Sequence, residues 1–268
     1  MSIWSKLFGK AREPGELEAL IEELSTAMRP WVRAATRLVP EPWDDPGCGI
    51  GSRTGGAPYA EPGEPWPMCG TCATPLDFVA QIDLRECASR PTEAFDLLTL
   101  FYCWECFPWG DLSAEEAGQW TVRTYCQPAV ERCRVTHPPT MTGQRSRPCR
   151  LEPLPVRVLP SGEELDLRDR ALAERLEALP EYPDIVEAIE ARLVGEPLAE
   201  GAASLVGGYP LWIQSEQAPT NTAGRRFELL AQLDSEPAPG WMWGDAGIVY
   251  LLFDPDDPSY IRLILQCH

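Results

Sequence analysis

A chain of 268 residues can bury a substantial core and fits one large domain or two small ones. Its formal charge of −18 disfavours nucleic acid and anionic membranes as direct partners and suits a basic protein. With 28 prolines, about twice the usual share, it should hold many loops and few long elements.

Residues 1–12 carry Trp4, Leu7 and Phe8 among lysines, without the continuous apolar stretch of a secretory signal. The longest clear strand run, 248–253, is far short of a membrane span. A cytoplasmic location is expected. The ten cysteines then argue for metal and spare buried thiols over a disulfide scaffold.

Residues 15–38 read as a helix. Leu17, Leu20, Ile21, Leu24, Met28, Trp31 and Val32 recur at three- and four-residue spacing, with a kink or split at Pro30. Residues 39–67 are proline-rich and loop-like. Gly47, Gly49 and Gly51 give a glycine-rich run, but no dinucleotide or P-loop signature is present. Strand-like runs follow at 76–84, 95–102 and 120–126. Residues 127–162 are rich in proline and arginine. Seven arginines stand against Glu131 and Glu152 between 118 and 158, and the tract is read as a linker lying on the acidic body. Residues 163–194 are helical by their leucine and isoleucine spacing, interrupted at Pro180 and Pro183.

The last third repeats the first. Gly207-Gly208-Tyr209-Pro210 echoes Gly55-Gly56-Ala57-Pro58, Ala231-Gln232-Leu233-Asp234 echoes Ala80-Gln81-Ile82-Asp83, and 250–253 echoes 99–102. Residues 261–265 resemble 122–126, with Arg262 set against Arg123. The expected fold is α+β: internally duplicated, mainly antiparallel sheet units, flanking helices, and a zinc-ribbon-like insertion in the first copy. The expected segments are an N-terminal helix (1–38), a first repeat (39–137), a linker with helices (138–196) and a second repeat (197–268), with 39–268 as one globule. Gln81, Asp83, Gln232, Asp234 and Asp245 could line a polar cleft. Alternatively, the glutamines satisfy backbone groups and the aspartates of the repeat cap turns.

The sharpest chemical signal is C-x2-C-x30-C-x2-C at Cys69, Cys72, Cys103 and Cys106. Each pair lets two thiolates reach one ion, and two pairs complete a tetrahedral shell. A structural zinc is expected, because a closed four-thiolate shell leaves no position for a reactive water. A redox dithiol, an iron–sulfur cluster and unliganded cysteines are the rivals. Of the other cysteines, Cys126 and Cys133 could make a second, weaker site. The second repeat lacks the cysteine pairs and has the 241–247 stretch WMWGDAG instead.

These residues resemble the YwqG-like family of unknown function. The likeness rests on Gly55-Gly56-x-Pro58, Pro75-Leu76-x-Phe78-x-Ala80-Gln81-Ile82, Gly208-Tyr209-Pro210-x-Trp212-Ile213-Gln214, Leu229-Leu230-x-Gln232-Leu233-Asp234, Trp243-Gly244-Asp245-x-Gly247 and Gln266-Cys267. The first half also resembles the programmed-cell-death-2 family, through Gly55-Gly56-x-Pro58, the cysteine pairs, Glu93-Ala94-Phe95 and Trp120-x-Val122. That resemblance implies a zinc-containing chaperone for a ribosomal protein. Only the four zinc ligands transfer; neither family supplies catalytic residues.

Enzyme signatures are missing. The histidines are His137 and the terminal His268, and neither a nucleophile elbow nor a phosphate loop is present. The expectation is a non-enzymatic, zinc-binding module for a basic protein partner, ribosomal or otherwise nucleic-acid-binding. The alternatives are an immunity protein neutralising a basic toxin, and an enzyme or small-ligand binder using a cleft between the repeats.

Overall fold

The first helix is shorter than its apolar periodicity. In the computed structural model, which describes residues 13–44, 47–110, 115–135, 145–195 and 204–268, α1 spans Pro14–Met28 and a 3-10 turn spans Arg29–Trp31. Pro30 has no N–H to continue the helical ladder. The chain then extends as β1, Arg33–Pro42. Residues 33–38 of the expected helix over 15–38 are therefore strand. Their place is set by strand pairing, Thr36 opposite Val206 and Arg37 opposite Leu205.

The chain divides into two compact units, Met1–Arg33 with Arg157–Leu198, and Ala34–Val156 with Ala199–His268. The first is helical. It holds α1 with α2 (Gly162–Asp166), α3 (Arg170–Glu177) and α4 (Tyr182–Leu193). Ser161 and Asp169 cap α2 and α3 by accepting from Glu164 N and Leu172 N. Pro183 lies in the first turn of α4, where its missing N–H costs nothing. Leu24, Leu165, Leu176, Ile185 and Ile189 are buried together. Arg192 reaches Glu18 and Glu22 on α1, and Arg175 reaches Glu23.

The second unit is a ten-stranded sheet, barrel-like and nearly closed, in the order β10-β9-β8-β7-β1-β6-β2-β3-β4-β5. After β1 come β2 (Arg53–Thr54), β3 (Asp77–Asp83), β4 (Leu97–Tyr102), β5 (Trp120–Tyr125) and β6 (Cys149–Val158). Then come β7 (Leu205–Val206), β8 (Glu228–Asp234), β9 (Ile248–Phe253) and β10 (Ile261–Gln266). The expected linker is in part β6, a strand inside the sheet. Pro153 and Pro155 are tolerated because β2 pairs only with Cys149 and Arg150, leaving that side of the later residues free of a ladder. Residues 138–144 of the expected linker, and His137, lie outside the described residues.

The same bonds recur in both halves of the sheet. β3 shifts register against β4 between Phe78 and Ala80, and β8 against β9 between Leu229 and Ala231. The bulged residues accept from paired glycines, Gly55 N to Val79 O at 3.4 Å and Gly207 N to Leu230 O at 3.1 Å. All four glycines of the two pairs have positive φ, which glycine adopts without strain. Asp83 N donates to Ser52 Oγ, and Asp234 N to Ser204 Oγ. The outer strands follow a different offset from the sequence alignment. Phe101 faces Thr121 and Leu252 faces Arg262, so Arg262 occupies the position of Thr121 and not of Arg123.

One core is shared by the two halves: Val79, Ala80, Ile82, Leu98 and Leu100 from the first, Leu230, Ala231, Leu233, Val249 and Leu251 from the second. The opposite faces are covered too, by Tyr59 and Tyr125 over Leu97 and by Leu211 and Trp212 against Tyr250 and Leu252. Burial on both faces explains why β4 and β9 read as continuous apolar runs.

Candidate metal centre

Two turns of the same build present the cysteines. Cys69 O accepts from Ala73 N and Cys103 O from Phe107 N, both at 2.9 Å. Ala73 and Phe107 stand at φ +57° and +48°. A left-handed non-glycine residue costs roughly 1–2 kcal/mol, and here it recurs four residues after the first cysteine of each pair. The turns are anchored to each other's surroundings. Cys103 N donates to Gln119 O and Gly70 N to Ala117 O.

The four sulfurs lie within 4.8 Å of one another. Cys69 and Cys106 Sγ are 3.7 Å apart, Cys72 and Cys103 Sγ 3.5 Å. A tetrahedral site with metal–sulfur bonds of about 2.3 Å has sulfur–sulfur edges of about 3.8 Å, so the donor set fits one ion. Cys69 and Cys103 are buried, Cys106 is half-buried and Cys72 is exposed. The Thr74 hydroxyl, 2.9 Å from Cys72 Sγ, leads the effects that lower the Cys72 thiol to about 6, which favours the thiolate. Burial pushes the Cys103 and Cys106 thiols up in the metal-free form. Cys106 N donates to Cys103 Sγ at 3.4 Å, which supports a thiolate there.

A buried carboxylate ties this centre to the rest of the sheet. Asp77, on β3, accepts from Trp104 Nε1 (2.9 Å), Arg145 N (3.0 Å), Ser146 N (3.0 Å) and Ser146 Oγ (2.6 Å). Burial raises its pKa, while the bonds from Ser146 and Trp104 oppose that. Trp104 lies inside the second cysteine pair and stacks on Trp243. Trp241 Nε1 reaches Ser146 Oγ at 3.3 Å. The 241–247 stretch, which has no cysteines, thus packs against Trp104 and reaches Ser146. Asp77 is not among the expected site residues; nothing in the run 76–84, which also holds Gln81 and Asp83, sets it apart.

The five residues considered for a polar cleft are not gathered into one. Gln81 is fully buried, accepts from Tyr59 N at 2.7 Å and donates to Gly49 O and Gly51 O. Gln232 is fully buried and accepts from Leu211 N at 3.0 Å. The two side chains serve different loops. Asp83 holds Arg85 at 2.6 Å, Asp234 accepts from Ser235 N, and Asp245 is exposed. Nor do Cys126 and Cys133 form a second site. Cys133 is disulfide-bonded to Cys48, with Cα atoms 6.0 Å apart, and Cys126 is a free thiol donating to Ala94 O. Cys48 and Cys133, expected among the spare buried thiols, are thus joined, a pairing that the separation of 85 residues hid. Cys87, Cys149 and Cys267 are free, and burial raises Cys87 to about 12.

No helix among the described residues is long and apolar enough to cross a membrane. Comparison with curated proteins gives no match. A family model described as a domain of unknown function, DUF1963, matches residues 52–260, more than half of the chain, and the chain belongs to that family.

Proposed function

We propose that this protein is a non-enzymatic module that binds a basic protein partner through a surface held in place by a structural zinc. The observation that carries the reading is the four-sulfur cluster, whose edges of 3.5 and 3.7 Å suit a tetrahedral ion. Cys69, Cys72, Cys103 and Cys106 would hold the zinc, which when bound cross-links the turn before β3 to the turn after β4. Four thiolates fill the shell, so the role is architectural. The Asp77–Trp104 bond and the Trp104–Trp243 stack then pass that constraint to both halves of the sheet.

The net charge of −18 supports a basic partner over nucleic acid. The recurrence of bonds at Gly55 and Gly207, and at Ser52 and Ser204, supports reading the sheet as an internal duplication. The cysteine turns support a kinship with the programmed-cell-death-2 family, and the combined motif set one with YwqG-like proteins. A cytoplasmic location and a chaperone-like role for a ribosomal or other nucleic-acid-binding protein complete the proposal, with the Cys48–Cys133 bond as an exception to the reduced thiols usual in that compartment.

Two measurements test it. Elemental analysis of protein purified under reducing conditions should give one zinc per chain; iron, or clearly less than one equivalent of any metal, would overturn the metal assignment. Purification from the native host, with identification of bound chains, should recover a basic protein reproducibly. Recovery of a small molecule and no protein would favour a ligand-binding role instead.

A further inference from the structure

The sheet has two end strands, β5 and β10, and they do not pair. A cavity of about 470 Å³ lies between them. β5 lines it with Trp120, Thr121 and Arg123, and the start of β10 with Tyr260 and Ile261. The two edges differ. That of β10 is partly covered, since Leu265 N donates to Trp109 O at 3.2 Å and Arg262 Nη2 to Gly110 O at 3.1 Å. Among the described residues, β4 is the one strand paired with β5, so the other side of β5 offers backbone donors and acceptors towards the cavity.

The lining has a definite chemistry. Met68 and Tyr260, at 43% and 39% exposure, are exposed large apolar side chains, and both stand on this cavity. The basic groups nearby are already engaged. Arg123 donates to Pro65 O and lies 3.9 Å from Glu64, while Arg262 lies 3.1 Å from Glu115. Glu115 lines the cavity, and exposed Glu116 and Asp257 flank lining residues in sequence. The site is therefore a strand edge with an apolar rim in an acidic setting. Extended peptides dock on such edges, with backbone bonds giving affinity and side-chain pockets giving selectivity.

We propose that β5 takes an added strand: an extended, basic segment of a partner protein pairs its backbone with the outer edge of β5, rests an apolar side chain on Met68 and Tyr260, and places its Lys or Arg side chains in the acidic setting of Glu116 and Asp257. This rests on the basic-partner reading above and gives it a location.

The test titrates the full chain with a fluorescein-labelled octapeptide of alternating Lys and Val. Controls are an alternating Glu–Val peptide and a Lys–Val peptide methylated at every backbone nitrogen. The Lys–Val peptide should bind, and both controls at least about tenfold more weakly. Tyr260→Lys and Met68→Lys should each weaken binding by at least about tenfold with an unchanged melting temperature. Equal binding by the wild type and both variants would overturn the β5 site while leaving a basic partner elsewhere on the surface. Equal binding of the methylated peptide would overturn strand pairing, and no binding of the Lys–Val peptide would overturn the proposal outright. The proteins recovered from the native host judge the basic-partner reading separately.

Discussion

Trp104 stacks on Trp243 with ring centroids 4.6 Å apart and planes 23° from parallel. One ring sits between two cysteines of the four-sulfur cluster and the other in the opposite half of the sheet. Tyr102 meets both rings edge-on, at 5.0 and 5.2 Å. Trp243→Ala should therefore destabilise the whole sheet unit, by about 3–5 kcal/mol, as expected for removing a buried aromatic. Urea unfolding followed by circular dichroism checks this; a cost under about 1 kcal/mol would mean the stack carries little of the fold.

Metal binding and folding should be coupled. Cys103→Ser removes a buried ligand, and should lower both the metal content and the melting temperature. A chelator should lower the melting temperature of the wild type and leave that of the variant nearly unchanged. Calorimetry with and without chelator reads both effects.

Cys72 should be the reactive thiol of the metal-stripped protein. It is exposed and held near 6, first of all by the Thr74 hydroxyl. Its alkylation rate should rise with pH through a midpoint near 6, well below an ordinary thiol. Thr74→Val should move the midpoint upward. Mass spectrometry of the alkylated Cys72 peptide across pH gives the curve.

Asp77 should leave a pH signature. Its folded pKa lies above the ordinary aspartate value because the carboxyl is buried. The folded state thus holds the proton more tightly than the unfolded chain does. This group's contribution to stability is fully present below the ordinary value and declines as pH rises towards the raised one. Asp77→Asn cannot titrate. The stability of the wild type minus that of the variant should shrink as pH rises above the ordinary aspartate value of about 4. Paired denaturation series measure it, and a difference that grows with pH would refute the assignment.

The Cys48–Cys133 bond closes a loop of 85 residues beside Tyr59 and Tyr125. Cys133→Ser should cost about 2–4 kcal/mol under non-reducing conditions. A mild reductant should abolish the difference between variant and wild type. Peptide mapping without reduction should recover 48 and 133 joined.

The sequence alone determined the features whose signal is local. Strand runs at 76–84, 95–102, 120–126 and 248–253 match β3, β4, β5 and β9. β4 and β9 are nearly continuous apolar runs because both their faces are buried, whereas β3 and β5 show their strands by apolar positions interleaved with polar ones. The cysteine spacing determined which four sulfurs meet, since each pair needs only one tight turn. Only the tertiary structure decided what pairs across long separations. β1 and β6 look like a helix end and a proline-rich linker until their sheet neighbours supply the missing hydrogen bonds. Asp77 is one of two acids in β3, with nothing local to distinguish it, until Trp104 and Ser146 converge on it. Arg262 takes its place from strand register and not from likeness to Arg123. Cys48 finds Cys133 because folding brings their loops together over Tyr59. In each case the deciding energy lies between residues far apart in the chain, and periodicity and spacing carry no record of it.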